Sequence, residues 1–169
     1  LVGMGRIAKA IAHRAQAFGM PIAYTARTAK PELPYTFYPS AAALAGDSDF
    51  LVVITPGGAG TRKLIDASVL KALGPKGILV NVARGPVVDE AALIEALEAG
   101  TLGGAALDVF ENEPNVPQRL IAMPQVVLAP HIGSATRETR QAMVDLALAN
   151  LKAQFAGQAL LTPVPECRG

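Results

Sequence analysis

Short apolar runs alternate along the chain with stretches in which apolar residues recur at helical spacing. The runs Pro21–Thr25, Phe50–Ile54, Ile78–Val82, Gly104–Leu107 and Val126–Ala129 predict strands, and Leu1–Val2 predicts a strand that the sequence enters part-way. Several of these are apolar at successive positions, as strands of a parallel sheet must be when both faces are covered. Between them, Ile7–Phe18, Ala41–Ala45, Asp66–Ala72 and Glu90–Ala99 predict helices. Asp89 has the short carboxylate of an N-cap, and Gly100 the free backbone of a helix stop. Strand–helix alternation of this kind implies an α/β fold on a doubly wound parallel sheet.

The rhythm changes near the end. Thr136–Phe155 predicts one long helix with Met143, Leu146, Ala147 and Leu151 on a single face, and Gly157 ends it. The Pro-rich tail Leu160–Pro165 reads as extended. We therefore expect a domain over residues 1–135, followed by a crossing helix and tail over 136–169 directed toward a second domain. With no initiator methionine ahead of Leu1, the sequence reads as a fragment that lacks most of that second domain.

Gly3-Met4-Gly5-Arg6-Ile7-Ala8 follows an apolar strand and opens a helix, which fits the G-x-G-x-x-G/A pattern of Rossmann-like sheets. The first glycine permits a tight turn, the second a close approach of backbone to a pyrophosphate, and the small third residue close helix–strand packing. The helix N-terminus then offers free N–H groups to phosphate. An acidic residue is expected at the end of the second strand to bind a ribose 2′-hydroxyl. Here that strand ends in Tyr24-Thr25-Ala26-Arg27-Thr28. Arg27 can pair with a 2′-phosphate, and Thr25 and Thr28 can add hydroxyl donors, so NADP(H) is expected in preference to NAD(H).

Composition narrows the classes. Apolar residues make up 51% of the 169 and charged ones 17%, which excludes a disordered chain. The formal charge of +1, without a basic block, speaks against nucleic acid or an anionic membrane as partner. No apolar run is long enough for a membrane span. Cys167 is the only cysteine, so no disulfide can form within the chain and a cytoplasmic setting is expected. No metal site is assigned.

Ligands of open α/β sheets bind beyond the carboxyl ends of the strands. Ala83-Arg84-Gly85 follows the Ile78–Val82 run, Asp108 and Glu113 follow Gly104–Leu107, and His131 follows Val126–Ala129. A guanidinium, two carboxylates and an imidazole are thus expected at one edge. A guanidinium suits a substrate carboxylate and an imidazole suits proton transfer, so the set fits a carbonyl acid. Taken singly, each residue also has an ordinary surface role. His13, inside the first helix, is left as structural.

The chain resembles the NAD-binding domain of the D-isomer-specific 2-hydroxyacid dehydrogenases. The resemblance rests on Gly3–Ala8, on Asn81-Val82-Ala83-Arg84-Gly85 with Val88-Asp89-Glu90, on Ala106-Leu107-Asp108-Val109-Phe110 with Glu113-Pro114, and on Pro130-His131-Ile132-Gly133-Ser134-Ala135-Thr136. Tyr24–Arg27 is similar to glyoxylate/hydroxypyruvate reductases that prefer NADPH, and Thr55-Pro56-Gly57-Gly58 to a loop of such reductases that passes near the cofactor. The resemblance implies that Arg84 holds the substrate's carboxylate and carbonyl, that His131 is the general acid/base, and that Glu113 pairs with it. It implies further that Asp108 helps orient the nicotinamide. Gly3, Gly5, Arg6, Ile7, Arg27, Thr28, Pro56, Val82, Ala83, Arg84, Asp108, His131 and Gly133 would line the cofactor. A small 2-oxo or 2-hydroxy acid would be the substrate, and a homodimer through this domain the assembly. A dinucleotide-sensing corepressor of the same fold is the alternative. A formate dehydrogenase would carry an amide where Glu113 stands.

Overall fold

The structure is a computed structural model that describes residues 1–164, so Cys167 and Pro165 lie outside the described residues. The chain forms two compact units, Leu1–His131 and a second that begins at Ile132. In the first unit, β3 (Phe50–Val53), β4 (Ile78–Asn81), β5 (Gly104–Leu107) and β6 (Val126–Leu128) form a parallel sheet in that order. A two-stranded parallel sheet pairs β1 (Ala23–Tyr24) with β2 (Thr36–Phe37). Val2 bridges Thr25 on one side and Val53 on the other, so the strand order reads β2-β1-Val2-β3-β4-β5-β6. This is a doubly wound order, with the reversal at Val2.

Register follows burial. Leu51 and Val53 of β3 enter one apolar cluster with Val2, Leu70, Leu79 and Leu93, whereas Val52 and Ile54 pack on a second cluster around Met4, Ala8, Ala12 and Tyr24. Successive side chains point to opposite faces of a strand. Both faces of β3 are covered from Leu51 to Val53, which is why its run is apolar throughout rather than alternating, whereas Val127 of β6 is exposed.

The helices are α1 (Arg6–Ala17), α2 (Ala41–Gly46), α3 (Ala67–Leu73), α4 (Glu90–Glu98), α5 (Gln118–Ile121) and α6 (Arg137–Phe155). Asp89 caps α4 by accepting from the Ala92 N–H at 3.4 Å, and Lys63 Nζ lies 2.9 Å from its other oxygen. Gly100, with φ +67°, adopts the left-handed backbone that the stop requires. Asp66 lies just outside its helix, as the N-cap rather than the first helical residue.

Several expectations need correction. The Pro21–Thr25 run contracts to Ala23–Tyr24, because Val2 contributes only single bridges beside it. The Ile78–Val82 strand ends at Asn81, whose side chain bonds to the turn that follows. The strand β2 went unanticipated: it is two exposed residues long and is flanked by Pro31, Pro34 and Pro39, which mask it. The helix α5 has four residues, too few to show a period. In the second unit, α6 forms as expected with Thr136 as its N-cap, but Met143, Leu146 and Leu151 are exposed. Periodicity selects the apolar side of a helix without supplying its cover.

Asp66 Oδ1 accepts from the Ser68 hydroxyl and the Ser68 and Val69 N–H groups at 2.6–3.1 Å. The Ser68 hydroxyl bond foremost, then the Val69 N–H, hold this carboxyl below the ordinary 3.8 against the opposing effect of burial, and the Ser68 N–H adds to the lowering. A depressed folded value means stability that is present above the unfolded value and lost as pH falls through the folded one. Asp66→Ala in the full-length protein should therefore cost about 1 kcal/mol at pH 7, and clearly less near pH 3. Urea unfolding at the two pH values checks this, and an equal penalty at both would refute the capping role.

Candidate active site

The turn from Val2 into α1 is built for close approach. The Gly3 N–H donates to Thr25 O at 2.8 Å and the Val2 N–H to Val52 O at 2.8 Å, which fixes the turn against both neighbouring strands. Gly3 has φ +97°, and a Cβ there would stand 3.1 Å from Ile54 O and 3.2 Å from Thr55 Cγ2. At Gly5 a Cβ would meet nothing within 4 Å, so the space in front of the helix is open. Gly5 is the N-cap of α1 and no side chain caps the helix. Ala8 is buried beneath, while Gly5, Arg6 and Ile7 are exposed. Backbone N–H groups thus face open space at the positive end of a helix dipole, an arrangement that suits a pyrophosphate.

Beyond β1, Arg27 and Thr28 are exposed at the same edge. Thr25 is buried, and its backbone is spent on the Leu1 carbonyl and the Gly3 N–H. Arg27 and Thr28 therefore remain as the exposed donors of this segment. After β3, Pro56 is exposed and its carbonyl accepts from Thr61 Oγ1 at 2.7 Å. The Thr55 hydroxyl is buried and has no partner among the described residues.

Two further strands lead to the titratable candidates. Val82 is half-buried, Ala83 buried and Arg84 exposed as the chain leaves β4. At the end of β5, the Asp108 N–H donates to Asn81 O at 3.0 Å, and Asp108 is half-buried. A turn follows in which the Phe110 N–H donates to Glu113 Oε1 at 3.1 Å. Glu113 Oε2 lies 2.7 Å from His131 Nδ1, just beyond β6. The turn is held from outside as well: the Glu111 N–H donates to Glu90 Oε2 at 3.1 Å, and Arg62 pairs with the Glu111 carboxylate at 3.1 Å. Neither Glu90 nor Arg62 was read from sequence as a site residue. Glu90 belongs to the Val88-Asp89-Glu90 segment but was given no role there, and the only signal for Arg62 is its position after the Thr55–Gly58 loop.

The Glu113 carboxyl is held below its ordinary 4.5, first by the bond to His131 and against burial, then by the Phe110 N–H and the nearby charges of His131 and Arg84. As an ionised carboxylate Glu113 can only accept, so His131 Nδ1 carries a hydrogen. Proton exchange is then left to Nε2. The backbone of His131 is left-handed, with φ +54°, a conformation uncommon for a residue with a Cβ. Glu113 and His131 are both partly exposed, with side-chain exposures of 35% and 48%. The pair therefore lines an open surface rather than a sealed core. Gly133 falls in the second unit.

The structure thus places Gly3, Gly5, Arg27, Thr28, Pro56, Val82, Ala83, Arg84, Asp108, Glu113 and His131 in the first unit, on the segments that follow the parallel strands, with Arg6 and Ile7 opening α1. Among the described residues no group of three His, Cys, Asp or Glu side chains could hold a metal, and no helix is long and apolar enough to cross a membrane.

Comparison with known proteins agrees with this geometry. Residues 1–133 match the family D-isomer specific 2-hydroxyacid dehydrogenase, NAD binding domain. A glyoxylate/hydroxypyruvate reductase A of Arabidopsis thaliana is 56% identical over 164 residues, covering 97% of this chain and 52% of the relative. A hydroxyphenylpyruvate reductase of Plectranthus scutellarioides is 53% identical, with the same coverage of 97% and 52%. A crystal structure of an NADPH-dependent glyoxylate/hydroxypyruvate reductase of Sinorhizobium meliloti, in complex with NADP and malonate, superposes with a TM-score of 0.95 at 55% identity. That match covers 98% of this chain and 52% of the other. The chain spans about half the length of the relatives it matches. It belongs to the D-isomer specific 2-hydroxyacid dehydrogenases and carries their NAD binding domain over residues 1–133.

Proposed function

We propose that the whole protein is a reductase of small 2-oxo acids, with glyoxylate or hydroxypyruvate as substrate and NADPH as the preferred cofactor. The observation that carries this reading is the Glu113–His131 pair, 2.7 Å apart just beyond the parallel strands. The names of the Arabidopsis and Sinorhizobium relatives support the substrate class.

In this reading, Gly3, Gly5, Arg6 and Ile7 would hold the pyrophosphate. Arg27 and Thr28 would hold a 2′-phosphate, Pro56, Val82 and Ala83 would line the cofactor, and Asp108 would orient its nicotinamide. A bound nicotinamide dinucleotide supplies the hydride that the protein's own side chains cannot. Arg84 binds the substrate carboxylate and polarises the adjacent carbonyl through its planar fork of donors. Protonated His131 donates from Nε2 to the carbonyl oxygen as the 2-carbon is reduced, and oxidation of the 2-hydroxy acid reverses that transfer. Glu113 fixes the imidazole's orientation and compensates its charge. We also propose a homodimer through this domain and a cytoplasmic setting, the latter supported by the single cysteine.

His131→Ala in the full-length protein should lower kcat by about 10²–10⁴-fold with glyoxylate, since that is what general acid–base catalysis contributes. Glu113 stays ionised below 4.5, so the support it gives His131 is present above that range and is lost only as pH falls through its lowered value. Glu113→Gln removes the carboxylate that orients the imidazole through Nδ1, so kcat with glyoxylate at pH 7 should fall well below that of the wild type. Wild-type kcat in this variant would refute the pairing. A turnover-incompetent full-length protein that nonetheless binds NADPH would favour the corepressor reading.

Cofactor choice has its own measurement, the ratio of kcat/KM for NADPH to that for NADH. A charge-assisted bond contributes about 1.5–3 kcal/mol, equivalent to roughly 10- to 100-fold. The exposure of Arg27 places the effect at the lower end. Arg27→Ala should reduce the ratio about tenfold. A wild type that prefers NADH, or a ratio unmoved by the substitution, would leave Arg27 a surface residue.

A further inference from the structure

Arg84 is exposed, yet its stem and backbone are held on several sides. The buried member of this cradle is Asn81, the last residue of β4, which is 1% exposed and lies in register between Val53 and Leu107. Its Oδ1 accepts from the Ala83 N–H at 3.1 Å, and its Nδ2 donates to the Arg84 carbonyl at 3.2 Å. One side chain thus closes the turn that carries Arg84, using a donor and an acceptor together. A carboxylate there would lose the donor, and an aliphatic side chain would lose both. Burying an amide in the middle of a parallel sheet is unfavourable unless it is hydrogen-bonded. Asn81 is one of two buried polar residues among the described residues, and its side chain bonds to the backbone of this turn through both Oδ1 and Nδ2.

The second member is Gly57. A Cβ at Gly57 would stand 2.8 Å from Arg84 Cγ and 3.2 Å from Arg84 Cβ. These are the root of the arginine, not its mobile end, so the stem lies flat on the glycine. The loop that carries Gly57 cannot simply retreat. Thr61 Oγ1 donates to Pro56 O at 2.7 Å and the Thr61 N–H to Gly58 O at 3.1 Å. Nor can the arginine turn back away easily, because at Gly85 a Cβ would fall 1.8 Å from Phe110 O, so the two backbones are in direct contact there. Finally, Arg84 Nη1 donates to Ala83 O at 2.6 Å, which ties the guanidinium to the same turn that Asn81 closes.

We propose that Asn81 and Gly57 are positioning residues for substrate binding, which set the guanidinium of Arg84 at the place where a 2-oxo acid's carboxylate is received. This rests on the reading of Arg84 as the carboxylate-binding group. Asn81 fixes the backbone from below the sheet edge, and the missing side chain at position 57 fixes the direction of the stem. Gly57 is the sharper probe. It is exposed and its backbone is not left-handed, so alanine fits its conformation and the clash falls on Arg84 alone.

The test uses the full-length protein with saturating NADPH and glyoxylate. Gly57→Ala should raise the KM for glyoxylate and lower kcat/KM by about 10- to 100-fold, since a displacement of about 1 Å can cost that much. Its melting temperature should stay that of the wild type. Asn81→Ser should show a loss of the same kind, and thermal melting identifies any part that comes from instability. The decisive comparison is the Arg84→Ala background, in which Gly57→Ala and Asn81→Ser should each cost less than about twofold, because the group they position is gone. Wild-type efficiency in Gly57→Ala, or losses that multiply undiminished onto Arg84→Ala, would overturn the inference while leaving the reading of Arg84 intact. If Arg84→Ala itself keeps wild-type kcat/KM, the carboxylate-binding role falls, and the positioning role falls with it.

Discussion

Parallel pairing of buried strands is the constraint on which the rest of this molecule depends. Strands covered on both faces can present polar groups only at their ends, and parallel strands present all their carboxyl ends at one edge. Here Val2, β1, β3, β4, β5 and β6 run the same way, so six turns open at that edge. Gly3, Arg27, Pro56, Arg84, Asp108 and His131 each sit on one of these turns. They come from positions up to 128 residues apart in sequence, from Gly3 to His131. Their meeting needs no special contact beyond the sheet.

What the sheet supplies is proximity; the geometry of the reactive groups comes from a few bonds at its edge. The turn after β5 is a small structure of its own, with the Phe110 N–H on one oxygen of Glu113 and His131 on the other. Glu90 and Arg62 brace it from α4 and from the loop after β3. The turn after β4 is braced by Asn81 and abuts the Phe110 carbonyl through Gly85. Two strand ends are thus locked to each other where Arg84 and Glu113 stand. An ion pair as exposed as Glu113–His131 contributes little to stability. What the contact does fix is the orientation of the imidazole, with Nδ1 engaged by the carboxylate and Nε2 left outside that contact.

The turn from Val2 into α1 follows a different logic, and is defined by what it lacks. Gly3 has no Cβ to meet Ile54 and Thr55, Gly5 leaves the front of α1 open, and no side chain caps the helix. Such a feature is legible from glycines alone, because it consists of absent side chains. The Arg84 cradle is only half legible in this way. Gly57 is visible in the sequence, but nothing local says that its empty space is occupied by a residue 27 positions later.

Read alone, the sequence determined the fold class and the positions of most strands and helices, and it singled out the candidate residues that the fold sets beyond the strands. Burial on both faces leaves continuous apolar runs, and caps and glycine stops leave local signatures at Asp89 and Gly100. It did not reveal β2, which is short, exposed and set among prolines, nor α5, which is too brief to show a period. It marked the apolar side of α6 without deciding whether Met143, Leu146 and Leu151 are covered. Above all it could not place Asn81, Glu90 or Arg62 in the site, since each acts on backbone or charge brought to it from another element. It also could not show that the Thr25 side chain is buried while Arg27 is exposed. Local chemistry writes itself into local sequence; bonds between segments that meet only when the sheet assembles exist only in the tertiary structure.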